Sequence, residues 1–294
     1  MITYVLGSLM AITLGFGGIF AKDLVANKNN MEDNSVPKLT FIGFVVNFFD
    51  TLGIGSFAPT TALLKGMKQT KDRTLPGTLN VAMTIPVVME AFIFIKVIEV
   101  DPVTLISMLV AATVGAFLGA GVVSKLPERT IQVVMGFALF ITAFLMLSAQ
   151  MGWLPGGGEA IGLTGAKLII AVVANFVLGA LMTAGIGLYA PNMALIYFLG
   201  MSPRVAFPIM MGSCAFLMPV ASAKFIKEGA YDKKASLVIT IAGAVGVLIA
   251  AYIVKSLPLN ILKWLVIGVI FYTSATMLRA ASKNKDINTE KKAS

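Results

Sequence analysis

One glycine-rich motif occurs twice in this chain, each time inside an apolar stretch long enough to enter a lipid bilayer. The copies are Gly53-Ile54-Gly55-Ser56-Phe57-Ala58-Pro59 and Gly185-Ile186-Gly187-Leu188-Tyr189-Ala190-Pro191. Glycine and proline at membrane depth interrupt a helix, and the freed backbone groups need protein, water or a ligand as partners because lipid offers no hydrogen bonds. Paired interruptions at corresponding places in two halves of a membrane protein are typical of a transporter's binding site.

The composition is that of an integral membrane protein. Hydrophobic residues make up 57% of the chain and charged residues only 13%, about half the charged fraction of a soluble protein. Apolar segments run to about 20 residues and lack the alternating pattern of a membrane β-barrel. The sequence therefore predicts an all-α, polytopic membrane helix bundle. The net charge is +9, and the basic residues that produce it lie in the loops and the tail. In a membrane protein such residues are expected to set the orientation of the helices and not to bind nucleic acid.

Residue usage narrows the chemistry further. The chain has no histidine, and Cys214 is its only cysteine, so disulfides within the chain and His/Cys metal sites are excluded. We expect no catalytic residues, no metal and no cofactor. No GxxxxGK[ST] motif occurs, so we expect no use of ATP, and energy must come from a gradient or a partner.

An ordered series of matches indicates an internal duplication. The two motifs lie 132 positions apart, and further landmarks recur at an offset of 131 or 132. A fixed offset maintained along two halves of a chain is the signature of a repeat. The matched residues are Pro76 with Pro208, Lys96 with Lys227, Asp101 with Asp232, Gly115 with Gly246, Pro127 with Pro258, and Leu147 with Leu278.

Charge predicts that the two halves face opposite ways. Basic residues follow the motif in the first half (Lys65 to Arg73), but one helix later in the second (Lys224 to Lys234). If both motif segments are re-entrant hairpins, 18 Lys and Arg residues fall on the cytoplasmic side and 5 on the other, against 14 and 9 for nine plain spans. The positive-inside rule favours the first arrangement.

This arrangement predicts four parts of the chain. Residues 1–24 form an N-terminal transmembrane helix, 41–150 the first repeat, 165–280 the second and inverted repeat, and 281–294 a disordered cytoplasmic tail. The hairpins cover 41–65 and 168–199, the second being long enough for two tilted near-spans. We expect a multi-pass protein of the cell membrane with its N-terminus outside. The predicted full spans are 2–21, 76–98, 102–123, 129–149, 204–227, 234–254 and 259–279.

Two restarting helices could bind an anion. The first amides of a helix lack intrahelical partners and form its positive end, and two such ends meeting at the midplane would make an anion site. Close helix packing is the alternative role of these glycines. Proline suits the first turn, and we expect Ser56 to cap its helix. The predicted substrate-binding residues are Gly53, Gly55, Ser56, Pro59, Thr60, Thr61, Gly185, Gly187, Tyr189, Pro191 and Asn192.

Four charged residues suggest further roles. Asp50 and Glu90 lie in apolar stretches, where a carboxylate is costly unless it is neutral, paired or facing water. They are candidates for proton coupling, with a neutral, hydrogen-bonded structural role as the alternative. Arg73 and Arg204 precede the matched prolines and could funnel anions towards the site, with interfacial snorkelling as the alternative.

The chain resembles the TauE/SafE sulfite exporter family, also called the toluene-sulfonate uptake permeases. The resemblance covers residues 41–280 and consists of the duplicated glycine segment followed by proline, the basic loop after Lys65, and the Leu-Pro turns at 126–127 and 257–258. It implies a small sulfur-containing anion, such as sulfite or a sulfonate, as substrate.

Three functions are compatible with these observations. The first is a secondary transporter of a small anion, working by alternating access around the two hairpins. The second is an anion channel of the same architecture, and the third a membrane-embedded enzyme, which the residue usage disfavours. The expected partners are the substrate anion and the bilayer, with neither nucleic acid nor ATP, while a homodimer is left open.

Overall fold

The computed structural model describes residues 2–96, 98–154, 158–253, 264, 267–268 and 270–283. Within these residues the chain is almost entirely helical, and 270–283 form a final helical segment. A short 3-10 turn, Asp72–Thr74, precedes α4. The helices are α1 (Ile2–Ala26), α2 (Val36–Thr51), α3 (Phe57–Gly66), α4 (Leu75–Phe94), α5 (Pro102–Val123), α6 (Glu128–Gln150), α7 (Gly165–Met182), α8 (Tyr189–Phe198), α9 (Pro203–Lys227) and α10 (Lys233–Ile253).

Seven of these helices are long and apolar enough to cross a membrane: α1, α4, α5, α6, α7, α9 and α10. The predicted all-α membrane bundle is therefore confirmed. Six predicted spans agree with helices of the structure to within about five residues at either end. The seventh, 259–279, falls partly outside the described residues, as do residues 284–294 of the predicted tail and the Leu-Pro turn at 257–258.

The two motif segments form helix pairs of unequal arms. The first pair is α2 with 16 residues and α3 with 10, and the second is α7 with 18 and α8 with 10. At 1.5 Å per residue the first arms are about 24 and 27 Å long and the second arms about 15 Å. The first pair thus has one long and one short arm, and its first arm begins before residue 41, where the hairpin is predicted to start. α7 is long and apolar enough to cross a membrane, but α8, with 10 residues, is too short to be the second near-span expected in 168–199.

α4 and α9 pack against each other at the centre of the bundle. They are the most enclosed of the seven candidate spans, with 72% and 83% of their apolar windows buried, against 22% for α7. Around this pair, α2 packs on α10 and α7 on α5, while α5 contacts α9 and α10 contacts α4. The repeat offset matches α2 with α7, α4 with α9, and α5 with α10. The contacts of the two halves correspond under this matching: α2–α10 to α7–α5, and α4–α10 to α9–α5.

Matched glycines allow two of these helix pairs to approach closely. A Cβ atom at Gly115 of α5 would overlap the carbonyl oxygen of Phe176 on α7, and a Cβ at Gly246 of α10 would lie 2.5 Å from that of Phe44 on α2. The two glycines lie 131 positions apart in the sequence, and the two phenylalanines lie 132 apart. Small residues that bring backbones together are a main source of helix association in membranes. Gly115 and Gly246 thus permit close helix packing, and both lie outside the two glycine motifs.

Hydrogen bonds between loops define two ends of the bundle. At the "basic end", Asn34 Nδ2 donates to Gln69 O (3.0 Å) and Asp232 Oδ2 (2.7 Å), and Ser35 N donates to Gln69 Oε1 (2.8 Å). These contacts join the start of α2 to the loop that follows α3. The α2–α3 pair therefore starts and finishes at the same end of the bundle.

The α7–α8 pair starts and finishes at the "opposite end". There, Ser202 N donates to Ala160 O (2.8 Å), and Lys167 Nζ at the start of α7 donates to Leu199 O (3.0 Å), just after α8. The 25-residue α9 runs from this end to the basic end, a distance of about 37 Å. The two broken helix pairs thus enter the bundle from opposite ends.

Candidate functional site

Glycine ends the first arm of each pair in the same way. Gly53 N donates to Asp50 O (2.8 Å) and Gly185 N to Met182 O (2.9 Å), both across three residues. Both glycines have left-handed φ, at +88° and +94°, a conformation that side chains with a Cβ rarely adopt. The duplicated glycine therefore turns the chain out of α2 and α7, which explains why the helices break at these positions.

The second arms restart as the sequence predicts, with one exception. Pro59 and Pro191 are each the third residue of their helix, α3 and α8, where a missing amide costs no hydrogen bond. Ser56 occupies the position before α3, but its side chain makes no capping hydrogen bond, so the predicted cap is wrong. The Ser56 hydroxyl and amide instead face the carboxyl group of Asp50.

The two breaks meet in the interior and enclose a small cavity. A Cβ at Gly55 would lie 3.7 Å from Tyr189 Cβ, and a Cβ at Gly187 would lie 3.7 Å from Phe57 Cβ. The cavity measures about 20 Å³, which holds about one water molecule. Its walls are Asp50, Ile54, Gly55, Ser56, Phe57, Ala58, Val87, Thr142, Met146, Met182, Gly187, Leu188, Tyr189, Ala190 and Cys214.

Two polar side chains in the cavity wall have no hydrogen-bond partner among the described residues. Asp50 is 1% exposed, and although Ser56 lies beside it, neither carboxyl oxygen accepts a hydrogen bond of ordinary geometry. The hydroxyl of Thr142 on α6 is 4% exposed and likewise unpaired. Buried polar groups are normally satisfied, so these atoms mark the cavity as a place for a polar ligand, water or proton.

Glu90 reaches the same site from α4 and joins the two halves of the chain. It is fully buried. Its Oε1 accepts from Thr51 Oγ1 (2.9 Å) at the end of α2, and its Oε2 accepts from Tyr189 OH (3.0 Å) at the start of α8. Glu90 and Asp50 are close enough to interact electrostatically. The ion pairs found among the described residues lie at the basic end, so neither carboxyl has a described cationic partner.

A wider vestibule adjoins the cavity on the side of the opposite end. It measures about 360 Å³ and shares Ile54, Met146, Tyr189 and Ala190 with the cavity wall. From there it extends to residues 150–154, where α6 ends. These four shared residues border both the small inner cavity and the vestibule.

The other predicted site residues lie outside the cavity wall. Thr60 and Thr61 are buried, with hydroxyls bonded to the carbonyl oxygens four residues earlier in α3. Asn192 donates to Asn175 Oδ1 (2.7 Å), away from the cavity. Arg73 and Arg204 are exposed, one near each end of the bundle. Gly53 and Pro59 shape the first break but do not line the cavity, and the same holds for Gly185 and Pro191 in the second.

Sequence reasoning missed three participants, Thr51, Thr142 and Cys214. Thr51 adjoins a recognised candidate, Asp50, and could have been found as a hydroxyl at the end of the first arm. Thr142 is one hydroxyl in an apolar span, and Cys214 is a single small side chain in another. Their place in the site depends on how α6 and α9 are rotated, which the sequence pattern does not give.

The fold and the site together define a multi-pass membrane protein in which two broken helices entering from opposite ends meet at a small cavity that contains a buried carboxyl group. This is the architecture of a class of membrane transporters. The family model described as "Sulfite exporter TauE/SafE" matches residues 1–146 and 167–294, nearly the whole chain. The chain belongs to the TauE/SafE sulfite exporter family, whose membership implies a membrane transporter. Comparison with curated proteins gave no match.

Proposed function

We propose that this protein is a secondary transporter of a small anion, working by alternating access. One observation carries the proposal: the two broken helix pairs, from opposite ends, meet at a small cavity between the halves of the chain. The cavity, at about 20 Å³, is too small for a sulfur oxyanion, so substrate entry requires the surrounding helices to separate.

Inverted repeats provide the two-fold relation that alternating access needs. Support comes from the exchanged packing of α2 on α10 and α7 on α5, from the matched glycine contacts, and from the opposite entry of the two pairs. The basic end carries the loops with Lys65 to Arg73 and Lys224 to Lys234, and the positive-inside rule favours a cytoplasmic location for it. The N-terminus of α1 is then outside the cell membrane.

Labelling of introduced cysteines tests this orientation. Single cysteines replacing Lys68 and Lys227 should react with an impermeant maleimide only from the cytoplasmic side, and those replacing Glu159 and Ser202 only from outside. These positions are exposed or half-buried, whereas the native Cys214 is 1% exposed and gives little background. Reaction of the cysteines at 68 and 202 from the same side would show that the repeats are parallel.

The proposed substrate is a small sulfur-containing anion such as sulfite or a sulfonate. The starts of α3 and α8 direct two positive helix ends at the site, as suits an anion, and family membership favours sulfur oxyanions. Two carboxyl groups in the same site, Asp50 and Glu90, would repel that anion if both were ionised. A proton on at least one of them resolves this conflict, which is the physical basis of coupling anion movement to protons.

A flux assay in liposomes tests the function directly. The purified protein should catalyse saturable flux of sulfite or a simple sulfonate, and a pH gradient should raise the rate severalfold. Sulfate and small carboxylates in the same panel define the selectivity, and liposomes without protein are the control. Flux that rises linearly with concentration and ignores the pH gradient would indicate an anion channel. Absence of flux for every member of the panel would contradict the proposal.

A further inference from the structure

Tyr189 borders both the inner cavity and the vestibule. It is the first residue of α8. Its Cβ and ring lie opposite Gly55, where a Cβ would be 3.7 Å from Tyr189 Cβ. Of the other shared wall residues, Ile54 and Ala190 are small or aliphatic and Met146 is flexible. The aromatic ring is thus the largest rigid group between the two spaces.

A hydrogen bond keeps this ring in place. Tyr189 OH donates to Glu90 Oε2 at 3.0 Å, and the other oxygen of Glu90 accepts from Thr51 Oγ1 at 2.9 Å. Glu90 lies on α4 in the enclosed centre of the bundle, whereas Tyr189 lies on a 10-residue helix behind the break at residues 183–188. The bond therefore connects α8, a short helix that follows a glycine-containing break, to the central helix α4.

We propose that Tyr189 is the outer gate of the substrate pathway and that Glu90 is the positioning residue that holds it shut. The proposal builds on the proposed transport function and divides the roles of the two buried carboxyl groups. Asp50, with both oxygens unpaired, faces the cavity, while Glu90 has a hydroxyl group on each oxygen and serves the gate. Opening from the outside requires the Tyr189–Glu90 bond to break and α8 to move away from Gly55.

The chain carries its own reporter for this gate. Cys214 is the only cysteine in the sequence. It lines the inner cavity but not the vestibule, and it is 1% exposed. A positively charged, membrane-impermeant methanethiosulfonate that enters from the vestibule must pass the residues that border both spaces, of which Tyr189 is the largest. The rate of Cys214 modification therefore measures gate opening without an introduced cysteine and without any transported substrate.

The decisive comparison is Tyr189→Phe with Tyr197→Phe. Both variants lose one phenolic hydroxyl from α8, but Tyr197 lines only the vestibule. Loss of one hydrogen bond is expected to raise the modification rate of Cys214 about three- to tenfold in Tyr189→Phe, when the reagent is added outside. Tyr197→Phe should react at the wild-type rate. Thr51→Val, which frees the other oxygen of Glu90, should give a smaller increase.

Two results would overturn the gate. One is an equal modification rate in wild type, Tyr189→Phe and Thr51→Val, and the other is an equal acceleration by Tyr197→Phe. Protein levels in the membrane and the rate after detergent unfolding establish that each variant is folded and its thiol intact. Because the readout needs no substrate, a gate effect without anion flux would separate failure of the proposed transport from failure of the gate.

Discussion

Leucine in place of Gly55 is expected to abolish anion flux while the protein still reaches the membrane. Gly55 has φ +89°, a left-handed conformation that costs an L-residue about 1–2 kcal/mol. The new side chain would also enter a cavity of about 20 Å³ opposite Tyr189. Both effects act where the two breaks meet, so the helices could no longer close around a substrate. Flux in liposomes and protein level in the membrane are the measurements.

Gly187 and Gly66 provide matched controls for this result. Gly187 lies outside the left-handed region, and a Cβ there would be 3.7 Å from Phe57 Cβ, an ordinary contact. Gly187→Ala should therefore transport, whereas Gly187→Leu, which fills the cavity without backbone strain, should not. Gly66→Leu places the same side chain in open space at the end of α3 and should leave flux unchanged. Wild-type flux in both leucine variants of the motifs would assign these glycines to packing alone.

The spans and the helix breaks could be predicted from sequence because each depends on local composition. A run of about 20 apolar residues has one stable solution in lipid, a helix, and Gly53 and Gly185 interrupt it wherever the rest of the chain lies. The lengths of the helical arms could be predicted less well from the sequence. α2 starts at Val36, five residues before the predicted hairpin, since polar loop residues and the start of an apolar helix overlap there.

The contacts within the site could not be predicted, because they depend on helix rotation and on distant pairing. Glu90 lies 99 positions from Tyr189, and only the packing of α4 against its neighbours decides that the two side chains meet. The predicted cap illustrates the same limit on a smaller scale. Ser56 has the right position for capping, but its side chain makes no capping hydrogen bond and lies beside the buried carboxyl group of Asp50.

Asparagine in place of Asp50 is expected to remove the dependence of flux on a pH gradient. The substitution keeps size and polarity but removes the group that can exchange a proton. Asp50 is the better coupling candidate of the two carboxyl groups because it lines the cavity with both oxygens unpaired, so a proton or water can reach it. It also lies in the last turn of α2, at the negative end of that helix, where an anion is disfavoured and a bound proton is favoured.

The sign of the effect follows from the charges in the site. An ionised Asp50 repels the substrate anion, and a protonated one does not, so the wild type should bind and move substrate faster from the more acidic side. Asp50→Asn is permanently neutral and should still exchange substrate across the membrane, but at the same rate with and without the gradient. Glu90→Gln, which retains an acceptor for Tyr189 OH, should keep the response of the wild type. An equal response to the gradient in wild type, Asp50→Asn and Glu90→Gln would leave both carboxyl groups with structural roles only, because neither would then move a proton with the anion.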